Sequence, residues 1–106
     1  MARPRTTEHE HIYGEVNSPE DVRTINQKIR HDMDGVTKRE QLTELKKRSD
    51  YLCTLAEAPS WKEKFGGKID DVQRVAREED RKTTSHANDI ARRHGWDADY
   101  DPWGKG

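Results

Sequence analysis

The chain has few features that would stabilise a fold without a packed core. Its single cysteine, Cys53, excludes an internal disulfide and indicates a reducing compartment. No apolar run approaches the ~20 residues that a membrane-spanning helix needs, and no hydrophobic signal segment follows Met1. We therefore expect a cytoplasmic protein with no membrane partner.

Large apolar side chains are also scarce. Leu, Ile, Val and Phe supply 15 of the 106 residues, which is below the ~20% that separates globular from disordered chains when the net charge is high. The net charge here is only −1, although 39% of the residues are charged. Mixed charges of this kind are typical of solvated helices. A thin core often gains buried area from a second copy, so we expect a homo-oligomer.

Helix start and stop signals recur through residues 18–95. Ser18, followed by a proline, is a typical helix cap, and Gly35 is a typical stop. Thr37 and Glu40 then predict a capping box for a second helix. Since the stop and the new cap are almost adjacent, these two helices should fold back as a hairpin.

Pro59 ends the second helix, and residues 60–67 predict a short helical corner that starts at a second capping box. A third long helix should run from Ile69 to His94 and end at a glycine. The predicted fold class is all-α: an antiparallel helical hairpin plus a third long helix. An irregular arm (residues 1–17) precedes this helical domain, and an acidic, aromatic tail (residues 96–106) follows it.

The apolar stripe of the third helix is interrupted in its middle. The stripe passes through Glu79, Thr83 and His86, where a core requires apolar side chains. One interpretation is a buried ligand-binding site formed by these three residues, with His31 as a further candidate. A buried Glu79 would then need a cation or an arginine beside it. The interpretation that we favour is that this part of an overlong helix faces water, and we predict no metal and no cofactor.

Five aromatic residues lie at the helical corner and in the tail, outside the three long helices: Trp61, Phe65, Trp96, Tyr100 and Trp103. They could lap over the ends of the bundle, or they could bind a partner or a neighbouring subunit, because Trp and Tyr supply much of the energy at interfaces. We assign them as partner-binding candidates. We also predict that both tail tryptophans are substantially covered, since exposed apolar patches invite association.

Two short polar motifs have alternative interpretations. His9 and His11 lack the further ligands that zinc requires, so a surface arm is the simpler interpretation. Lys46, Lys47 and Arg48 form a short basic cluster that weakly suggests nucleic-acid binding.

Catalysis has little support in the sequence. Cys53 lies beside the apolar stripe of the second helix, as expected for an inert buried thiol. The acidic residues of the third helix have no clear counterpart on a second helix with which to bind magnesium. We therefore expect a non-enzymatic interaction or regulatory protein that self-associates or binds a protein partner. A helical metal- or ligand-binding protein and a nucleic-acid-associated factor are the alternatives.

Overall fold

The structure, a computed structural model, describes residues 15–104. Within them it contains three long helices, one short helix and no strand, as predicted for an all-α fold. The elements are α1 (Pro19–Met33), α2 (Arg39–Glu57), α3 (Pro59–Phe65), a 3₁₀ turn (Gly66–Lys68) and α4 (Ile69–His94). Most of the predicted arm, including His9 and His11, lies outside the described residues.

The start of α1 follows the predicted signals, whereas its end differs. The Ser18 hydroxyl accepts a hydrogen bond from the Asp21 N–H (3.3 Å), and the Asp21 carboxylate accepts one from the Asn17 N–H (2.8 Å). The helix ends at Met33, and its C-cap residue, Asp34, has a right-handed helical backbone conformation. Gly35 therefore lies in the turn after the helix and is not a left-handed cap.

The predicted capping box of α2 is wrong by one residue. Lys38 is the cap residue, so the third helical position is Gln41 and not Glu40. The Gln41 side-chain oxygen accepts hydrogen bonds from the N–H groups of Thr37 (2.8 Å) and Lys38 (3.2 Å). A glutamine performs this role as well as a glutamate, and adjacent Glu and Gln made the sequence ambiguous.

The corner after α2 contains the short helix α3. It begins at Pro59 with no side-chain cap, so the predicted cap Ser60 lies inside the helix. Trp61 is buried at 4% exposure. The Phe65 ring packs against it edge-on, with centroids 5.4 Å apart.

The long helices run up, down and up, and α4 packs along both arms of the α1–α2 hairpin. α4 ends at Gly95, whose φ of 71° is the left-handed conformation that favours glycine. No helix in residues 15–104 is both long enough and apolar enough to cross a membrane. Most of the core is contributed by small and medium aliphatic side chains: Val16, Val22, Ile25, Ile29, Met33, Leu42, Leu45, Leu52, Val72, Val75, Ala76, Ala87, Ile90 and Ala91.

Candidate functional site

Glu79 and Thr83 are buried, at 2% and 0% exposure, so the prediction that they face water is wrong. The reason is Arg30 of α1, which lies against this part of α4. Its guanidinium donates to a Glu79 carboxylate oxygen (3.1 Å) and to the Thr83 hydroxyl (3.1 Å). Lys82 contacts the other carboxylate oxygen at 3.3 Å. The charge of Glu79 is thus met by two cations, as a buried carboxylate requires.

The buried hydrogen bonds continue from α1 and α4 into α2. Asn26 of α1 is fully buried, and its side-chain oxygen accepts from the Thr83 hydroxyl (2.8 Å). The Ser49 hydroxyl of α2 lies 2.7 Å from the same oxygen and 2.8 Å from an Asp80 carboxylate oxygen. Since this hydroxyl has one proton, it donates to only one of them at a time.

On the α2 side, Asp80 lies beside a second acidic group and a lysine. The Lys46 ammonium, 4% exposed, is 3.7 Å from Asp80 and hydrogen-bonds to Asp50 one turn further along α2. Burial, and then the hydrogen-bonded carboxyl of Asp80, raise the pKa of Asp50 from 3.8 to about 6 against the opposing effect of Lys46.

These groups form one continuous assembly across the bundle, which we call the polar layer. Every long helix contributes to it, and its hydrogen bonds and ion pairs connect each member to the next. The members are Asn26, Arg30, Lys46, Ser49, Asp50, Glu79, Asp80 and Thr83.

The two histidine candidates lie outside the polar layer. His86 is partly exposed, and its Nε2 contacts an Asp34 carboxylate oxygen at 2.8 Å, near the α1–α2 turn. His31 is exposed and faces a shallow depression at the same turn. Within residues 15–104, no three side chains of His, Cys, Asp or Glu converge closely enough to hold a metal ion. Of the predicted set, Glu79 and Thr83 are brought together at Arg30, whereas His86 and His31 lie apart from them near the α1–α2 turn.

The tail runs back along the bundle in an extended form, between α2 and α4. We call the cleft that holds it the tail groove. Asn88 of α4 bonds to the main chain of Tyr100 twice: its amide donates to the Tyr100 carbonyl (3.0 Å) and accepts from the Tyr100 N–H (2.8 Å). The Tyr100 hydroxyl meets the Thr43 hydroxyl of α2 at 2.8 Å. Both walls of the groove therefore contact the same tail residue.

Further along the groove, Trp103 lies over the polar layer. Its main-chain N–H donates to the second carboxylate oxygen of Asp80 at 2.6 Å. Its indole N–H donates to the Thr54 hydroxyl of α2 (3.1 Å), and the Arg77 guanidinium lies 5.9 Å from its ring centre. Asp80 thus belongs to both the polar layer and the tail groove.

The five aromatic candidates occupy three separate places. Trp61 and Phe65 are at the end of the bundle where α3 lies, and Tyr100 and Trp103 are in the tail groove. Trp96 is at the C-terminal end of α4, where its ring stacks on His94 with centroids 4.1 Å apart. Trp96 and Trp103 are each partly buried against their own chain, so the protein itself provides the predicted cover.

Two further candidates are buried. Lys46 belongs to the polar layer and is unavailable to a phosphate backbone, which leaves Lys47 and Arg48 of the basic cluster. The Cys53 thiol donates to the Ala76 carbonyl at 3.3 Å. Burial, followed by the charges of Asp80 and Asp50, raises the pKa of this thiol far above its usual range.

Sequence reasoning missed five members of the polar layer and the main groove residue. The missed members are Asn26, Arg30, Ser49, Asp50 and Asp80, and the groove residue is Asn88. A signal for two of them was present. Asn26 and Ser49 each occupy a position, three or four residues from apolar neighbours, where the stripe of their helix should continue. The stripes of all three long helices are therefore interrupted, which predicts one shared polar layer more strongly than the gap in α4 alone.

Comparison of this chain with protein-family models, with curated proteins and with solved structures finds no match.

Proposed function

We propose that this protein is a non-enzymatic interaction protein and that the tail groove is its binding site for a protein partner. The observation that supports this most is the way in which groove side chains hold the main chain of an extended segment. Asn88 pairs with both main-chain groups of Tyr100, and Asp80 accepts the N–H of Trp103. Main-chain hydrogen bonds of this kind, combined with pockets for particular side chains, are how proteins recognise extended peptides.

The charges of the polar layer are paired with one another, which favours a protein-binding role over a metal, ligand or catalytic site in this layer. The charge of Glu79 is met by Arg30 and Lys82, and that of Asp80 is met by Lys46 and by the tail. Buried charges that are paired in this way need no added cation. Self-association is still a prediction. The core needs less cover from a second copy, because the tail of the same chain already covers part of it.

The test uses the full chain with a weakened tail. In Tyr100→Ala/Trp103→Ala, the two side chains that fill the groove are removed, while the groove itself is unchanged. A fluorescently labelled peptide with the sequence of residues 96–106 should bind this variant saturably, at micromolar concentration, in an anisotropy titration. Adding Asn88→Ala should weaken that binding at least ~10-fold, because it removes both hydrogen bonds to the main chain.

A matched control comes from the same helix. Ser85 is exposed on α4, one turn before the groove residue, and Ser85→Ala in the same background should leave peptide affinity unchanged. Circular dichroism should verify that each variant retains its helices. A folded double variant that binds no peptide would contradict the proposed function.

A further inference from the structure

Resting on the proposed function, we infer that the partner of the tail groove is an extended acidic segment of another protein, with a tyrosine and a tryptophan three residues apart. We also infer that the tail is a built-in competitor for that segment. Each of these requirements follows from a contact between the groove and the tail.

The tyrosine requirement comes from a hydroxyl pair. The Tyr100 ring is half-buried, and its hydroxyl reaches Thr43 of α2 at 2.8 Å while Asn88 of α4 holds its main chain. A phenylalanine would leave the Thr43 hydroxyl without this partner. A site that hydrogen-bonds a ligand hydroxyl discriminates against the analogue that lacks it.

The tryptophan requirement comes from a second donor at the other end of the groove. The indole N–H of Trp103 donates to Thr54, a bond that neither tyrosine nor leucine can make from the same position. Asp80 accepts the main-chain N–H of the same residue, so a proline there would be excluded. The three-residue spacing follows from the separation of Asn88 and Asp80 along α4, because the tail is extended and these two side chains fix its main chain.

The acidic character follows from the charges around the groove. Asp97, Asp99 and Asp101 are all exposed along the tail. Two arginines contact the tail from opposite walls. Arg39 donates to the Asp97 carbonyl (3.2 Å), and Arg77, which also pairs with Glu57 of α2 at 2.6 Å, lies beside the Trp103 ring. A segment with a carboxylate at the position of Asp97 therefore lies beside the Arg39 guanidinium at the start of the groove.

The competitor role follows from how the tail is attached. It joins α4 directly through Gly95, so its effective concentration at its own groove is in the millimolar range typical of short tethers. A second copy would replace these contacts with identical ones and lose the benefit of the tether. A partner that makes further contacts outside the groove can displace the tail. Its apparent affinity equals its intrinsic affinity multiplied by the fraction of grooves that the tail leaves open.

The experiment compares the unmodified full-length protein with Tyr100→Ala/Trp103→Ala, using the labelled peptide of residues 96–106. We expect the unmodified protein to bind the peptide roughly 10- to 100-fold more weakly, because its own tail occupies the groove. With the double variant, peptides carrying Phe in place of Tyr100, or Leu in place of Trp103, should each bind at least ~5-fold more weakly than the original. Replacing all three aspartates by asparagine should weaken binding and flatten its salt dependence.

The possible outcomes separate this inference from the proposed function. If the folded double variant binds no peptide, the proposed function itself fails. If the double variant and the unmodified protein bind equally well, the groove is a binding site but the tail is not a competitor. Equal affinity for the Phe and Leu peptides would overturn the tyrosine–tryptophan signature. Sedimentation of the unmodified protein supplies a last check: a dimer dispersed by free peptide would identify a second copy as the occupant and overturn the partner assignment.

Discussion

Replacing Arg30 by methionine should destabilise the protein far more than replacing an exposed arginine. Glu79 is 2% exposed, and Arg30→Met removes its 3.1 Å ion pair together with the hydrogen bond to Thr83. Breaking a buried ion pair by removing one partner costs about 3–5 kcal/mol of unfolding free energy. Lys82 is still 3.3 Å from the second carboxylate oxygen, but its side chain is 64% exposed. A pair with a mostly solvated cation recovers roughly 0–1 kcal/mol, so we expect a net loss of about 2–5 kcal/mol.

Replacing the other partner of the ion pair, Glu79, should cost less stability. Arg30 is 20% exposed on its side chain, so in Glu79→Met its guanidinium can turn toward water at the bundle surface. We expect a loss of about 1 kcal/mol for this variant, and about the same or less for the Arg30→Met/Glu79→Met double variant. The second substitution should therefore restore much of the stability that the first one removes, and this gives a coupling free energy of at least about 2 kcal/mol.

Urea unfolding of all four proteins at pH 7, followed by circular dichroism, measures this cycle. Arg23→Met is the matched control, because Arg23 forms an exposed pair with Glu20 on the same helix at 2.9 Å, and it should leave the urea midpoint unchanged. The reasoning is refuted if Arg30→Met shifts stability by less than about 0.5 kcal/mol, the range of ordinary surface substitutions. It is also refuted if the effects of the two single substitutions simply add.

Two further predictions concern buried ionisable groups. The pKa of Asp50 is raised from 3.8 to about 6, so the folded protein holds the carboxyl proton of Asp50 more tightly than the unfolded chain does. The contribution of Asp50 therefore lowers the unfolding free energy as pH rises from about 4 to about 6. This contribution should be roughly 1 kcal/mol, since the side chain is 35% exposed and solvent screens it. The unfolding free energy of Asp50→Asn should lack this fall between pH 4 and pH 6. If the unfolding free energy of the variant depends on pH as that of the unmodified protein does, the assignment to Asp50 is contradicted. Cys53 is 1% exposed with a raised pKa, so a thiol reagent should label it at the rate of unfolding; rapid labelling of the native protein would show that the thiol is accessible.

The helix boundaries were largely predictable because their signals are local. α4 begins at Ile69 and ends at His94, as predicted. The turn Gly66–Lys68 precedes its start, and Gly95 caps its end. The start of α2 was misplaced because two adjacent residues can both complete a capping box. Only the main-chain path decides between them, and in the structure it selects Gln41.

The polar layer was less predictable because its partners are far apart in sequence. Whether Glu79 is buried or exposed depends on Arg30, which precedes it by 49 residues. A buried Glu79 predicts an arginine or another cation beside it, but hydrophobic periodicity cannot show which arginine that is. The same applies to the tail: the spacing of Tyr100 and Trp103 is visible in the sequence, whereas the pairing with Asn88 depends on the tail turning back along α4.

The polar layer also sets the alignment of α4 along its neighbours. Above and below the layer, α4 presents similar small apolar side chains, which would fit the hairpin about equally well after a slide of one helical turn, about 5.4 Å. Such a slide would bring Val75 to the place of Glu79 beside Arg30, and Ala76 to that of Asp80 beside Ser49. Buried polar groups would then lose their partners on all three long helices, at a cost of about 1–3 kcal/mol for each unsatisfied group. The buried charged groups thus fix the register of this 26-residue helix, which its apolar face alone would leave undetermined.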